Sequence, residues 1–268
     1  MIKELLGNGD LDASIVALLV NAVHFKGAWT YAFNPDETSK GTFFLSDGLE
    51  TDAEYMTAKQ SVKYTRESQA LDGADVLVLD YGKRSERKRG QRYRGKRTSS
   101  TDPEFSAIFI LPASRGEDSM NKVISKLNSQ PIADILSEVQ TVDLRLKLPR
   151  FRLEMGPLSL KPHLKKMGMN AAFQRCTRRS IRSGSNCGKF NRMSDDSYLY
   201  VDDVLHGACM EMTEEGTEAA AATAVIMRTR SARPRTLELI LDHPFVVIIW
   251  HQPTQTPLFI ARVENPAF

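Results

Sequence analysis

Three cysteines in 268 residues are too few to hold a disulfide scaffold together. Cys176 and Cys187 bracket a ten-residue loop and could pair in an oxidising compartment, whereas Cys209 lies in an apolar, strand-like run; free thiols are the expected state. The five histidines, His24, His163, His206, His243 and His251, are scattered, and neither HExxH nor a paired CxxC occurs, so no metal site is expected. A glycine-rich phosphate loop and a GxSxG nucleophile turn are also missing, which leaves nucleotide and serine-hydrolase chemistry without support. The chain is therefore not expected to be an enzyme or to need a cofactor. No apolar run is long enough to cross a bilayer, the best candidates being broken by Asn21, Lys26 or the His243-Pro244 pair. There is no Asn-x-Ser/Thr acceptor, and Met1 is not followed by a signal peptide, so neither feature indicates a compartment.

What is present is ordinary globular composition, 41% apolar and 26% charged, with an unusual distribution of charge. Lys83, Arg84, Arg87, Lys88, Arg89, Arg92, Arg94, Lys96 and Arg97 crowd one stretch with a single acid, Glu86. A second stretch, 175–192, holds six basic residues and no acid, among them Arg178, Arg179 and Arg182. The remainder carries 21 basic against 32 acidic residues, so an acidic body bears two basic loops under a net charge of only +3. Like-charged blocks of this kind are usually solvated loops. The sharper reading is a site for a polyanion such as a sulfated polysaccharide, where neutralising each anion releases counterions. Tyr93 is the only aromatic in the first block, so base stacking is thinly supported and nucleic acid is an unlikely partner. Exposed Arg and Lys in loops are also good sites for trypsin-like proteases.

The residue pattern predicts a mixed fold. Between Asp118 and Val139, Met120, Val123, Ile124 and Leu127 recur at helical spacing, and Pro131 can start a second helix. Val142 to Leu148 alternates apolar and polar residues, as a half-buried strand should. VLVLDYG (Val76 to Gly82) and FSAIFILP (Phe105 to Pro112) are strand-like runs flanking the first basic block, over an insertion spanning 83–103. Ile15 to Val20 is almost continuously apolar, the signature of a strand buried on both faces. Strands and helices are segregated rather than alternating, which argues for an α+β fold.

Glu214 to Ser231, EEGTEAAAATAVIMRTRS, joins a run of small residues to an arginine-serine bond. Alone, an alanine-rich run with an acidic start and a basic end suits a surface helix. Its neighbours argue otherwise. VNAVHFKGAWTYAF (Val20 to Phe33) resembles the end of the third strand of the central sheet of the serpins, with its Lys-Gly-x-Trp turn. LYVDDVLHGACMEM (Leu199 to Met212) resembles the strand that feeds their reactive loop. LILDHPFVVII (Leu239 to Ile249) resembles their C-terminal signature, and PLFIARVENP (Pro257 to Pro266) their final buried strand, with Ala261 where the family usually has glycine. Flanked in this way, Glu214 to Ser231 is similar to the hinge and reactive-centre loop of this family of serine-protease inhibitors.

The resemblance covers nearly the whole chain and implies a single partial serpin domain over 1–268, with a central mixed sheet and helices. The segment before Ser14 looks like the end of a helix lying on that sheet, so the N-terminal helices and two strands, roughly a third of the domain, are expected to be missing. The loop region is implied to span 214–238. Its hinge would be Glu215, Gly216, Thr217, Glu218, Ala219, Ala220, Ala221, Ala222 and Thr223, and family spacing from Gly216 puts the reactive bond at Arg230-Ser231. An arginine there implies a trypsin-like serine protease as partner; Arg228 is the nearest alternative, and Pro234 disfavours Arg233. After cleavage the hinge would enter the sheet between the strand ending near His24 and the one ending near Met212. Thr217, Ala219, Ala221 and Thr223 would share one face, and all are small enough to enter a packed interior. The family also implies an extracellular location, with the cytoplasm as the alternative. The competing reading is a truncated, non-inhibitory serpin that is only a substrate or a polyanion-binding protein.

Overall fold

The computed structural model describes residues 15–82, 103–176, 199–215 and 237–266, together with Leu6, Gly188, Phe190 and Met193. In chain order the strands and helices are β1 (Leu18–Phe25), β2 (Ser39–Phe44), β3 (Glu50–Ser68), β4 (Ala74–Asp80), β5 (Phe105–Leu111), α1 (Glu117–Ser129) and α2 (Ile132–Ser137). They continue with β6 (Gln140–Pro149), β7 (Phe151–Ser159), α3 (Lys161–Lys166), β8 (Asp203–Met212), β9 (Leu237–Ile240), β10 (Phe245–His251) and β11 (Thr256–Val263). Two compact units result, each built from separate stretches: Met1–Phe25 with Leu153–Met210, and Lys26–Arg152 with Glu211–Phe268.

The first unit holds a three-stranded sheet in the order β1-β8-β7. β1 and β8 run parallel in an unbroken register from Leu18 opposite Asp203 to Phe25 opposite Met210. The Asp202 carboxylate fixes the start of β1 by accepting the backbone N–H groups of Val16 at 2.5 Å and Ala17 at 3.0 Å. These bonds outweigh the cost of desolvation and hold the Asp202 carboxyl below its ordinary range. β1 is not buried on both faces as its apolar run suggests: Leu19 and Val20 remain 49% and 45% exposed. Among the described residues it is an edge strand with β8 as its one neighbour, so little covers it.

The cysteine expectation also needs correction. Cys209 is a buried free thiol, but Cys176 is disulfide-bonded to a partner outside the described residues. The reason is local. Cys176 is 3% exposed, and the chain beyond the ten-residue loop returns against it at Gly188, whose carbonyl oxygen lies 3.4 Å from its sulfur.

The second unit carries a larger sheet in the order β11-β10-β5-β4-β3-β6-β9, with β2 also paired to β3. β4 and β5 form the antiparallel hairpin that flanks the first basic block, running from Asp75 opposite Leu111 to Asp80 opposite Ser106. Helices α1 and α2 form as their spacing predicts and pack Met120, Val123 and Ile135 onto Val76, Val78, Ile108, Ile110 and Ile248. The entry to α1 turns at Gly116, whose φ of 104° favours glycine. Phe245 gathers Phe43, Phe109 and Phe151 around it, with ring centroids 5.7–6.5 Å apart. Each such buried ring contributes about 1.5–3 kcal/mol over an exposed one.

β6 alternates as its sequence predicts, burying Leu144, Leu146 and Leu148 and turning Arg145 outward. The last strand differs from expectation. β11 is not buried, since Leu258 and Ile260 are 47% and 62% exposed, while its partner β10 is buried along almost its whole length. β10 lies between β11 and β5, whereas among the described residues β11 ends the sheet with one neighbour.

Candidate functional site

The root of the candidate loop is the end of β8 and the three residues after it. The indole N–H of Trp29 donates to the Thr213 carbonyl oxygen at 2.9 Å. The Trp29 backbone N–H donates to the Glu215 carbonyl at 3.3 Å, and the Phe33 N–H to that of Glu214 at 2.9 Å. Trp29 is placed by β4: its ring stacks on Tyr81 with centroids 4.3 Å apart and planes 13° from parallel, and Thr30 N–H donates to Asp80. The Tyr81 hydroxyl in turn lies 3.6 Å from the sulfur of Met212. Burial pushes that phenol far above its ordinary range, so it remains a neutral donor. The Lys-Gly-x-Trp turn thus acts as a clamp on the chain leaving β8.

Charge completes the clamp. Glu214 is 7% exposed, a burial that an isolated carboxylate would not tolerate. It accepts the Thr38 hydroxyl at 2.7 Å through Oε1 and faces Arg150 Nε at 3.5 Å through Oε2. Arg150 also donates Nη1–H to Glu54 at 3.0 Å. Within the first unit, the side-chain amide of Asn21 lies 3.1 Å from His206 Nδ1, joining β1 to β8 at residues that stand opposite in the register. No strand lies between these two.

Of the residues expected from the sequence, Glu215 is described, exposed and held through its carbonyl. Gly216, Thr217, Glu218, Ala219, Ala220, Ala221, Ala222, Thr223, Arg230 and Ser231 lie outside the described residues, as do the basic positions from Lys83 to Arg97 and Arg178, Arg179 and Arg182. The ends of the first basic block are described. Gly82 N–H donates to the Ala28 carbonyl at 2.8 Å and Tyr81 N–H to that of Phe105 at 2.9 Å. The roles of Trp29, Tyr81, Arg150 and Thr38 were not foreseen; only Trp29 carried a sequence signal, as the tryptophan of the Lys-Gly-x-Trp turn. Among the described residues no cluster of His, Cys, Asp and Glu could hold a metal ion, and no helix is long and apolar enough to cross a membrane.

The family model for serpin (serine protease inhibitor) matches residues 1–266, and the chain belongs to that family. Human antithrombin-III is 32% identical over 265 residues, covering 99% of this chain and 50% of its own length. Serpin-ZXA of Oryza sativa subsp. japonica is 31% identical over 268 residues, covering 99% and 60%. Among solved structures, the thermophilic serpin tengpin in its native state aligns with a TM-score of 0.71 at 24% identity, over 99% of this chain and 59% of that one. The chain thus spans 50–60% of the length of these relatives.

Proposed function

We propose that this chain is the loop-bearing part of an inhibitor of trypsin-like serine proteases that acts as a suicide substrate. The observation that carries this reading is the direct parallel pairing of β1 and β8, the latter being the strand that continues in sequence into the clamped loop root. A chain that leaves β8 and turns back at Gly216 runs antiparallel to β8, and therefore antiparallel to β1. Strand insertion would replace one parallel ladder with two antiparallel ones, which are somewhat stronger per residue. The hinge supplies the small side chains that such an insertion needs. Arg230 would occupy the protease's specificity pocket through paired hydrogen bonds to a carboxylate, and Ser231 would leave with the downstream chain. Insertion would then carry off the acyl-enzyme before water hydrolyses it.

The decisive experiment mixes the purified chain with trypsin and examines a denaturing gel for a covalent band that survives boiling, with mass spectrometry of the released peptide. A stable complex with cleavage after Arg230 supports the inhibitor. Cleavage without a complex would refute it in favour of a non-inhibitory serpin that is only a substrate. The exposure of Leu19 and Val20 favours that second reading, because insertion needs a sheet that holds together.

The two basic blocks are proposed to bind a polyanion such as a sulfated polysaccharide. Retention on a heparin column that survives deletion of both blocks would rule this out. The disulfide at Cys176 supports an extracellular location, since such bonds persist in oxidising compartments.

A further inference from the structure

Trp29 serves the loop root with one edge and borders a cleft with another. The β3–β4 ladder ends with Lys63 opposite Val78. Past that pair the strands part, and the segment from Trp29 to Tyr31 closes the gap, tied to β4 by the Thr30 N–H on the Asp80 carbonyl at 2.9 Å. The cleft has a volume of about 260 Å³, with Trp29, Tyr31, Val62, Val78 and Leu79 in its apolar lining and Lys63 and Asp80 as its charged groups.

We propose that this cleft is a binding site for a small aromatic anion, a carboxylate or sulfonate carried on one or two rings. Size sets the first limit, because ligand pockets commonly run from about 300 to 1,000 Å³ and this one falls just below that range. Charge sets the second. Asp80 already accepts the Ser106 hydroxyl at 2.7 Å and the Lys63 ammonium at 3.1 Å, so its carboxylate is satisfied. The Lys63 side chain remains 43% exposed, and its ammonium has three donors. A ligand cation would have to displace Lys63 from Asp80, whereas a ligand anion can share it. The aromatic requirement comes from Tyr31, 45% exposed at the rim, whose ring a planar ligand would cover together with Val78 and Leu79.

The site touches the loop root through one residue. A ligand held against Trp29 braces the indole that donates to Thr213, so occupancy should slow release of the clamp; this consequence, unlike the binding itself, rests on the inhibitor reading.

The test uses 2-naphthoate with the whole chain, followed by saturation-transfer NMR on the ligand and by the indole N–H signals of the two tryptophans. The expected result is a Kd on the order of a millimolar, with the Trp29 signal shifting and that of Trp250 unmoved. Lys63→Gln and Tyr31→Ala should each weaken binding at least about fivefold and Lys63→Arg should retain it, all three having wild-type indole spectra without ligand. Uncharged 2-naphthamide should bind more weakly than the anion. Undiminished binding in both weakening variants, a shift confined to Trp250, or no saturation transfer at several millimolar overturns the site. If binding holds while trypsin yields no covalent complex, the inhibitor reading fails and the site stands.

Discussion

Arg150 faces Glu214 across the loop root with Nε 3.5 Å from Oε2, and the same guanidinium donates to Glu54 at 3.0 Å. One cation therefore ties the first acidic residue of the loop to β3. Glu214→Gln keeps the shape and removes the charge. It should destabilise the second unit by about 1.5–3 kcal/mol, the usual worth of a hydrogen bond to a charged group, here the Thr38 hydroxyl on the carboxylate, with the Arg150 ion pair weakened beside it. Urea unfolding followed by tryptophan fluorescence checks it; an unchanged midpoint would show that the pair contributes nothing.

Asn21 and His206 join β1 to β8 where an inserting strand must pass. His206→Ala removes the acceptor and should cost about 1 kcal/mol. On mild warming the variant should lose any capacity to trap trypsin sooner than the wild type does. Equal rates of loss would show that this contact does not restrain the sheet.

Ala221→Arg would place a long cation on the face that Thr217, Ala219 and Thr223 would share in an inserted strand. An unpaired charge driven into a packed sheet is costly, so insertion should fail while cleavage persists. Trypsin should then give cut protein and no covalent band.

Arg230→Leu should move preference from trypsin to chymotrypsin-like enzymes, read as the relative rates of loop cleavage by the two. Trypsin cutting the variant at the same bond and rate would place the reactive bond elsewhere, with Arg228 the next candidate.

Acid should weaken the second unit through Asp242. Burial raises its carboxyl, but hydrogen bonds from His243 at 2.8 Å and Arg115 at 2.6 Å outweigh that cost and hold it below the ordinary range. Because the folded value lies below the unfolded one, this stabilisation is complete above about pH 4 and is lost as pH falls through the folded value. Asp242→Asn should be less stable than the wild type at pH 7, and the two should converge as pH falls below about 4. A constant gap in urea midpoint across that range would contradict the assignment.

Much of the frame was legible because periodicity reports burial. Leu144, Leu146 and Leu148 announced one buried face of β6, and Met120 and Val123 the core side of α1. The apolar run of β1, and the resemblance that made β11 a buried strand, misled for the complementary reason. Composition records how much apolar surface a strand carries, and position in the sheet decides how much is covered. The clamp was hardest to read. Trp29, Tyr81, Thr38, Arg150 and Glu214 come from five separate stretches, and no spacing rule links a stacked ring on one hairpin to a carboxylate at the end of another strand. A disulfide at Cys176 was the alternative to the expected free thiols, because sequence distance alone does not show that Gly188 lies against its sulfur.

The eight rungs shared by β1 and β8 also act as a ruler. A strand entering from the C-terminal end of β8 would meet Phe25 and Met210 first and Leu18 and Asp203 last. Counted from Gly216, eight residues end at Thr223, where the small-residue run also ends. At about 3.3 Å per residue, insertion of that run under the proposed mechanism would be a stroke of about 26 Å. Lengthening the small run without lengthening the strands would add slack rather than travel.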